Sequence, residues 1–290
     1  MNDALEIWAA PAKLNLFLHV VGRRDDGYHR LQTIFQFIDW QDDLQFEITK
    51  DGRISRSRAT AGIGEDQDLT LRAARLLREA SGSPYGARIH LTKRLPIGGG
   101  LGGGSSDAAT TLLALNILWD LHWPLDRLAA LSLGLGADVP VFVRGTAAWA
   151  EGVGEELTPV DLPEPWYVVL VPDASVLTRL VFTELDLTGF RPPITIRDFR
   201  AGQGENDLAP IVRRRYTEVD RAWRWLTDYG CVRMSGSGAS VFIEVPDQAF
   251  GQRVVGACPP SWRACLTRGL NVHPIHARLG QLTHWGVAKR

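Results

Sequence analysis

The sequence predicts an α+β protein of two lobes, and three observations carry that expectation. Ala12 to Val20 alternates as a strand at the head of a β-rich opening segment. A glycine-rich run, Gly98 to Gly104, sits between a short strand and an apolar helix. Gly152 to Pro165 then turns rich in glycine, proline and acids, which marks a lobe boundary near residue 155. At 290 residues the chain is long enough for one large core or two modest ones.

The elements follow in order. Alternation places Leu14, Leu16, Leu18 and Val20 on one strand face and Lys13, Asn15, Phe17 and His19 on the other. Gly22 to Gly27 reads as a turn, with two further strands at Leu31–Trp40 and Leu44–Ile48. Arg53 to Gln67 is polar and reads as a surface loop. Leu69, Ala73, Leu76, Leu77 and Ala80 recur at helical spacing behind Asp68, a natural N-cap. Ala87–Leu91 reads as a strand, and an apolar helix runs through Leu112, Leu113, Leu115 and Leu118. Pro124 opens another helix, closed near Gly134 and Gly136, and Val139–Val143 and Thr146–Ala150 read as sheet. Tyr167–Val171 starts the second lobe as a buried strand. Glu184 to Pro210 contains a loop marked by Pro192, Pro193, Gly202 and Gly204.

Composition excludes several classes. Apolar residues make up 45% and charged residues 22%, with a net charge of -1, so no polyanion-binding surface and no nucleic-acid partner is expected. The basic cluster Arg213 to Arg215 reads as a solvated helix face. Neither a basic, apolar leader nor a membrane-length apolar run occurs, which points to the cytoplasm and to no membrane partner. The three cysteines, Cys231, Cys258 and Cys265, form no CxxC pair and read as packing residues of a reducing compartment.

Chemistry concentrates in Leu95 to Asp107, LPIGGGLGGGSSD, where six of the seven residues from Gly98 to Gly104 are glycine. Such a run lets backbone approach a ligand closely. Ser105, Ser106 and Asp107 suit a helix start, whose unpaired N–H groups and dipole favour phosphate. A seryl hydroxyl there could reach Mg²⁺, and Lys93 could reach the nucleotide. The run is not a P-loop, because no lysine follows Gly103. Gly98, Gly100 and Gly103 do spell GxGxxG, so a dinucleotide-dependent oxidoreductase is a competing reading. Asp120 and Asp126 fall among helical or turn residues rather than at the end of a second parallel strand, which argues against it.

Taken together, PAKLNLFLHVVGRRDDGYH, LPIGGGLGGGSSDAA, GADVPVF and MSGSGASVF, in this order, resemble the GHMP family of small-molecule kinases over nearly the whole chain. The resemblance implies a two-lobe GHMP kinase fold, with a ribosomal-protein S5 domain 2-like lobe over residues 1–155, a ferredoxin-like lobe over residues 156–290 and a cleft between them. It implies ATP and Mg²⁺ as cofactors, with Asp138 as the catalytic base and Lys13 as the lysine that pairs with it and polarises the acceptor hydroxyl. The GRRDDGYH turn and the GGGLGGGSSD loop point to one branch, whose acceptor is a cytidine diphosphate derivative of methylerythritol, phosphorylated on its 2-hydroxyl on the non-mevalonate isoprenoid route.

By the same resemblance Tyr28 stacks on the cytidine base, His29 bonds its edge and Phe182 is the opposing aromatic, with Asn15 and Thr178 also on the acceptor. ATP falls to Asp68, Leu69, Lys93, Pro96, Ile97, Gly98, Gly99, Gly100, Leu101, Gly102, Gly103, Gly104, Ser105 and Ser106, with Ser106 a Mg²⁺ ligand. Asp68 departs from the asparagine common in the family, so it serves either as N-cap or beside an adenine held by backbone groups. Met234 to Phe242 implies a glycine-rich turn that closes against the nucleotide side. A monomer or weak homodimer is expected. Another GHMP kinase and a non-catalytic nucleotide-binding module remain alternatives.

Overall fold

The computed structural model describes residues 5–59, 63–185 and 189–279. Strand β1 (Trp8–Arg23) and strand β2 (His29–Thr49) form a long antiparallel hairpin across the Gly22–Gly27 turn. The sequence suggests two strands where β2 is one. The break anticipated at Gln41–Asp43 does not occur, because those residues pair with Pro11, Ala10 and Ala9; a bulge lies just before them, where Asp39 and Trp40 fall between the pairs Pro11–Gln41 and Ala12–Ile38. The predicted two faces of β1 also fail to separate into wet and dry, because Ala10 to Val20 is buried on both. Layers pack on each side of this strand.

The loop expected over Arg53–Gln67 contains a short strand, β3 (Ile54–Arg56), parallel to β4 (Gly86–Thr92). Between them lies helix α1 (Leu69–Ser81), and after β4 comes α2 (Gly103–Leu118), followed by α3 (Leu125–Ser132) and α4 (Val139–Arg144). The sequence reading of Val139–Val143 as sheet is corrected by α4. A short apolar run buried on every side carries no period, and Pro140 at the helix start and left-handed Gly145 at its end decide for helix. A hairpin follows, β5 (Ala148–Glu151) and β6 (Glu156–Pro159), with β5 docked on β2. The division at residue 155 therefore falls in the turn of this hairpin.

The second half runs through β7 (Trp166–Val171), α5 (Thr178–Leu185), α6 (Ile196–Arg200), α7 (Ala209–Arg215), α8 (Thr217–Thr227), β8 (Arg233–Met234), β9 (Val241–Val245), α9 (Gln248–Gly256), β10 (Arg263–Leu270) and α10 (Pro274–Leu279). Helix α6 stands inside the stretch expected to be loop, where Thr195 and Asp198 form a reciprocal capping box that holds a single helical turn. Arg213 to Arg215 is not simply solvated: Arg213 pairs with Asp220, and Arg214 and Arg215 both pair with Glu184, tying α7 to α8 and α5. Cys231 is exposed, against the packing role expected of it, while Cys258 and Cys265 are half-buried and all three are free thiols.

Among the described residues one sheet joins the halves in the order β3, β4, β2, β10, β7, β9, β8. Its link is short: Gly269 and Leu270 of β10 pair with Ile38 and Phe37 of β2. One core packs α1 to α4 on the first half, and another packs α5, α7, α8 and α9 on the second. A third cluster lies between them, where Leu14, Phe17 and Ile38 meet Tyr167, Val169 and Phe242. This packing positions β1 between the lobes, and with it Lys13 and Asn15.

Candidate active site

The glycine-rich run leaves β4, turns through Gly98, Gly100 and Gly102 in left-handed conformations, and enters α2. Two of these glycines are required by close approach. A Cβ on Gly100 would lie 2.3 Å from the Ser235 carbonyl oxygen, and one on Gly102 would lie 3.0 Å from Phe142 and 3.1 Å from Lys13 Cε. The helix begins two residues earlier than expected, with Gly102 as a cap that offers no side-chain acceptor. Its first-turn N–H groups therefore keep their capacity for an anion. Ser105 lines the cleft so formed, whereas Ser106 is fully buried and its Oγ has no hydrogen-bond partner among the described residues.

That cleft, about 320 Å³, is walled by the loop from Pro96 to Ser105, by Lys93 and Asp107, and by Asp68 to Thr70 at the start of α1. The carboxylate of Asp68 is occupied: Oδ1 accepts from Thr70 N, Thr70 Oγ1 and Leu71 N, and Oδ2 lies 3.0 Å from Arg56. It is the N-cap of α1, and its chain neighbours supply the exposed cleft wall.

At the floor Lys93 Nζ stands 2.6 Å from Asp42 and 2.7 Å from Asp107. Burial opposes the lysine's charge, but the two carboxylates outweigh it and raise its pKa. Burial, opposed by the Lys93 ammonium and aided by the neighbouring Asp42, leaves Asp107 raised to about 8. Lys93 therefore enters the cleft with two of its three donors committed. Asp42 carried no signal in the sequence beyond a polar interruption of β2. The shortest cue to it is an acidic pair, Asp42–Asp43, just after the position where β2 bulges.

On the far side of the loop Lys13 Nζ lies 3.3 Å from Asp138 Oδ2. The lysine is buried and Asp138 is 36% exposed at the head of α4, with no capping bond of its own. Lys13 Nζ also donates to Asn15 Oδ1, Asn15 Nδ2 donates to Thr33 Oγ1, and Lys13 N donates to Leu101 O. The ammonium is fixed in place while the carboxylate keeps a face toward solvent, the arrangement a general base needs.

The Met234–Phe242 motif is a turn between β8 and β9 that packs on the loop. Ser235 Oγ donates to Gly100 O and accepts from Asn15 N, and Ser240 N donates to Gly99 O. Asn206, which the sequence reading missed, holds the turn from behind by donating to Met234 O and Gly236 O. Thr178, at the start of α5, bonds Ser237 Oγ at 2.7 Å, which brings it to the same turn. Tyr28 is 66% exposed at the end of the hairpin turn. His29 stacks on Phe182 with centroids 4.7 Å apart, and Phe190 meets the same imidazole edge-on. The three expected aromatics thus fall into a direct His29–Phe182 stack and an exposed Tyr28 beside it in the chain.

Residues 68–146 match the GHMP kinases N terminal domain and residues 194–262 the GHMP kinases C terminal domain. A 4-diphosphocytidyl-2-C-methyl-D-erythritol kinase of Pseudomonas aeruginosa (strain LESB58) is 54% identical over 273 residues, covering 94% of this chain and 97% of its own. The enzyme of the same name from Thiobacillus denitrificans is 54% identical over 271 residues, covering 93% of this chain and 98% of its own. A crystal structure of 4-(cytidine 5'-diphospho)-2C-methyl-D-erythritol kinase superposes with a TM-score of 0.81 at 37% identity, over 91% of this chain and 99% of that one. A Methanococcus jannaschii mevalonate kinase shares the fold at a TM-score of 0.66 and 15% identity, over 93% of this chain and 100% of that one. Motifs, lobes and relatives agree: the chain belongs to the GHMP kinase family, in the branch of the 4-diphosphocytidyl-2-C-methyl-D-erythritol kinases.

Proposed function

We propose that this protein transfers the γ-phosphate of ATP to the 2-hydroxyl of 4-diphosphocytidyl-2-C-methyl-D-erythritol, giving the 2-phosphate and ADP. The observation that carries the reading is the Lys13–Asp138 pair at 3.3 Å, with Lys13 packed directly against Gly102 of the glycine-rich loop. A base and a phosphate cradle so joined suit in-line phosphoryl transfer, in which positioning and charge stabilisation outweigh covalent work. Asp138 takes the proton of the attacking hydroxyl, Lys13 steadies the developing alkoxide, and Asn15 fixes Lys13. The loop from Pro96 to Ser105 and the first amides of α2 hold the phosphates, with Leu69 on the adenine side.

Ser106, whose buried Oγ has no partner among the described residues, is the protein group that fits a Mg²⁺ ligand. Bound Mg²⁺ would neutralise phosphate charge. Tyr28, His29, Phe182 and Thr178 receive the cytidine diphosphate end of the acceptor, where base stacking is worth about 1–3 kcal/mol. In this reading the lobe boundary lies near residue 155, within Gly152–Pro165. The protein works in the cytoplasm as a monomer or weak homodimer, without a nucleic-acid partner. Among the described residues no helix is long and apolar enough to cross a membrane.

The test is ATP- and Mg²⁺-dependent ADP release with 4-diphosphocytidyl-2-C-methyl-D-erythritol beside mevalonate, homoserine and galactose. Turnover confined to the cytidine compound is the expected result. Turnover of another acceptor would keep the kinase and discard the cytidine assignment.

A further inference from the structure

We propose that Asp42 is a positioning residue for ATP, acting through Lys93 and the backbone that leads into the glycine-rich loop. The proposal rests on the nucleotide reading of the cleft. Asp42 is fully buried, a costly place for a carboxylate unless every lone pair finds a donor. Its Oδ1 accepts from Arg94 N and, at 2.7 Å, from Leu95 N, and its Oδ2 accepts from Lys93 Nζ at 2.6 Å. One side chain of β2 thereby fixes three consecutive residues of the strand-to-loop connection.

Lys93 lines the cleft, and Lys93 and Leu95 both pack on the start of α2. A Cβ on Gly103, the first residue of α2, would lie 3.2 Å from both Lys93 Nζ and Leu95 Cβ. The helix start is thus packed on the groups that Asp42 holds, and displacement of Lys93 or Leu95 is felt where the phosphates are gripped. Asp107 shares the ammonium from the opposite side, so Lys93 is suspended between two carboxylates rather than free to swing into solvent. The bulge that interrupts β2 opposite Pro11 and Ala12 lies just before Asp42 in the strand. Bulges re-aim side chains, and this one accompanies an inward-facing acid.

Asp42→Asn isolates the Lys93 contact: the amide oxygen still serves Arg94 N and Leu95 N, but an NH₂ group now faces an ammonium. The experiment measures ATP dissociation constants without acceptor, then kcat and both KM values, for wild type, Asp42→Asn, Lys93→Met and the double variant. The expected result is an ATP Kd raised about tenfold in Asp42→Asn, with kcat and the acceptor KM within about twofold, and a double variant no worse than the poorer single one. Wild-type ATP affinity in folded Asp42→Asn, an equal loss in kcat and both KM values, or additive effects of the two substitutions would each overturn it. Should Asp42→Asn not fold, an unchanged ATP Kd in Lys93→Met overturns the proposal by itself. Wild-type protein that binds no ATP removes the nucleotide reading as well, a result distinct from any of these.

Discussion

Lys13 and Asp138 meet at 3.3 Å although they lie on different elements, one on the central hairpin and one at the head of α4. The lysine is enclosed by Asn15, Phe35 and Gly102, while the carboxylate keeps about a third of its surface open. Replacing Asp138 with Asn removes the proton acceptor and keeps the shape. The expected outcome is a kcat lower by about 10²- to 10⁴-fold with ATP KM nearly unchanged. Steady-state kinetics with varied ATP checks it, and full turnover in the variant removes Asp138 as the base.

Gly100→Ala tests the cradle. The residue has φ +76, and an added Cβ would lie 2.3 Å from the Ser235 carbonyl oxygen and 2.9 Å from that of Gly238. Backbone cannot yield as a side-chain tip can, so the loop and the Met234–Phe242 turn must separate. The conformational cost alone is about 1–3 kcal/mol. A lower melting temperature and a higher ATP KM are expected together, by thermal unfolding and kinetics. Gly98→Ala, at a position where a Cβ meets nothing within 4 Å, should show only the smaller conformational loss.

The sequence revealed those parts whose chemistry is local. A glycine run before an apolar helix, an aspartate before Leu69 and a lysine beside an asparagine on one strand each announce themselves within a few residues. What stayed hidden depends on partners far along the chain. Asp42 looks like a strand break until Lys93, Arg94 and Leu95 are brought to it, and Asn206 looks like loop until Met234 and Gly236 supply its acceptors. Val139–Val143 failed for a different reason, since full burial erases the periodicity that distinguishes helix from strand. The start of α2 lies at Gly103 rather than Ser105 because a glycine cap offers no side chain by which the sequence could mark it.

Tyr28→Ala separates recognition from stability. With 66% of its surface exposed, Tyr28 contributes little packing, so the melting temperature should be unchanged. Loss of one stacked base predicts an acceptor KM about tenfold higher, with ATP KM unaffected. An acceptor titration checks this, and an unchanged acceptor KM removes Tyr28 from the cytidine site. Phe182→Ala, which strips the stack from His29, should raise acceptor KM as well.

Asp68→Asn decides between cap and adenine contact. The amide oxygen can still accept from Thr70 N and Leu71 N, whereas Arg56 loses the carboxylate 3.0 Å away in a largely buried pair. The expected effect is a loss of stability of about 1–3 kcal/mol, read by denaturant unfolding, with ATP KM within about twofold. A large change in ATP KM without loss of stability would place the side chain on the nucleotide instead.

His273 makes stability depend on acid pH. It is wholly buried between Phe37 and Phe142, with His276 beside it and Nδ1 accepting from Ile275 N at the start of α10. Burial first, and then the neighbouring imidazole, hold its pKa well below 6.5. Burial also lowers His276, against a hydrogen bond with the Val143 backbone that raises it. Below about pH 6.5 the unfolded chain takes up protons that the folded chain refuses, so the stability these histidines permit is fully present above that pH and is lost as pH falls. The slope approaches about 1.4 kcal/mol per pH unit for each histidine that stays neutral in the fold. His19, also lowered by burial, contributes with the same sign, so the comparison must isolate one site. His273→Asn keeps an acceptor for Ile275 N and cannot titrate. Melting curves from pH 7.5 to 5 should fall less steeply in this variant than in the wild type, and parallel curves would show that His273 is protonated in the folded protein.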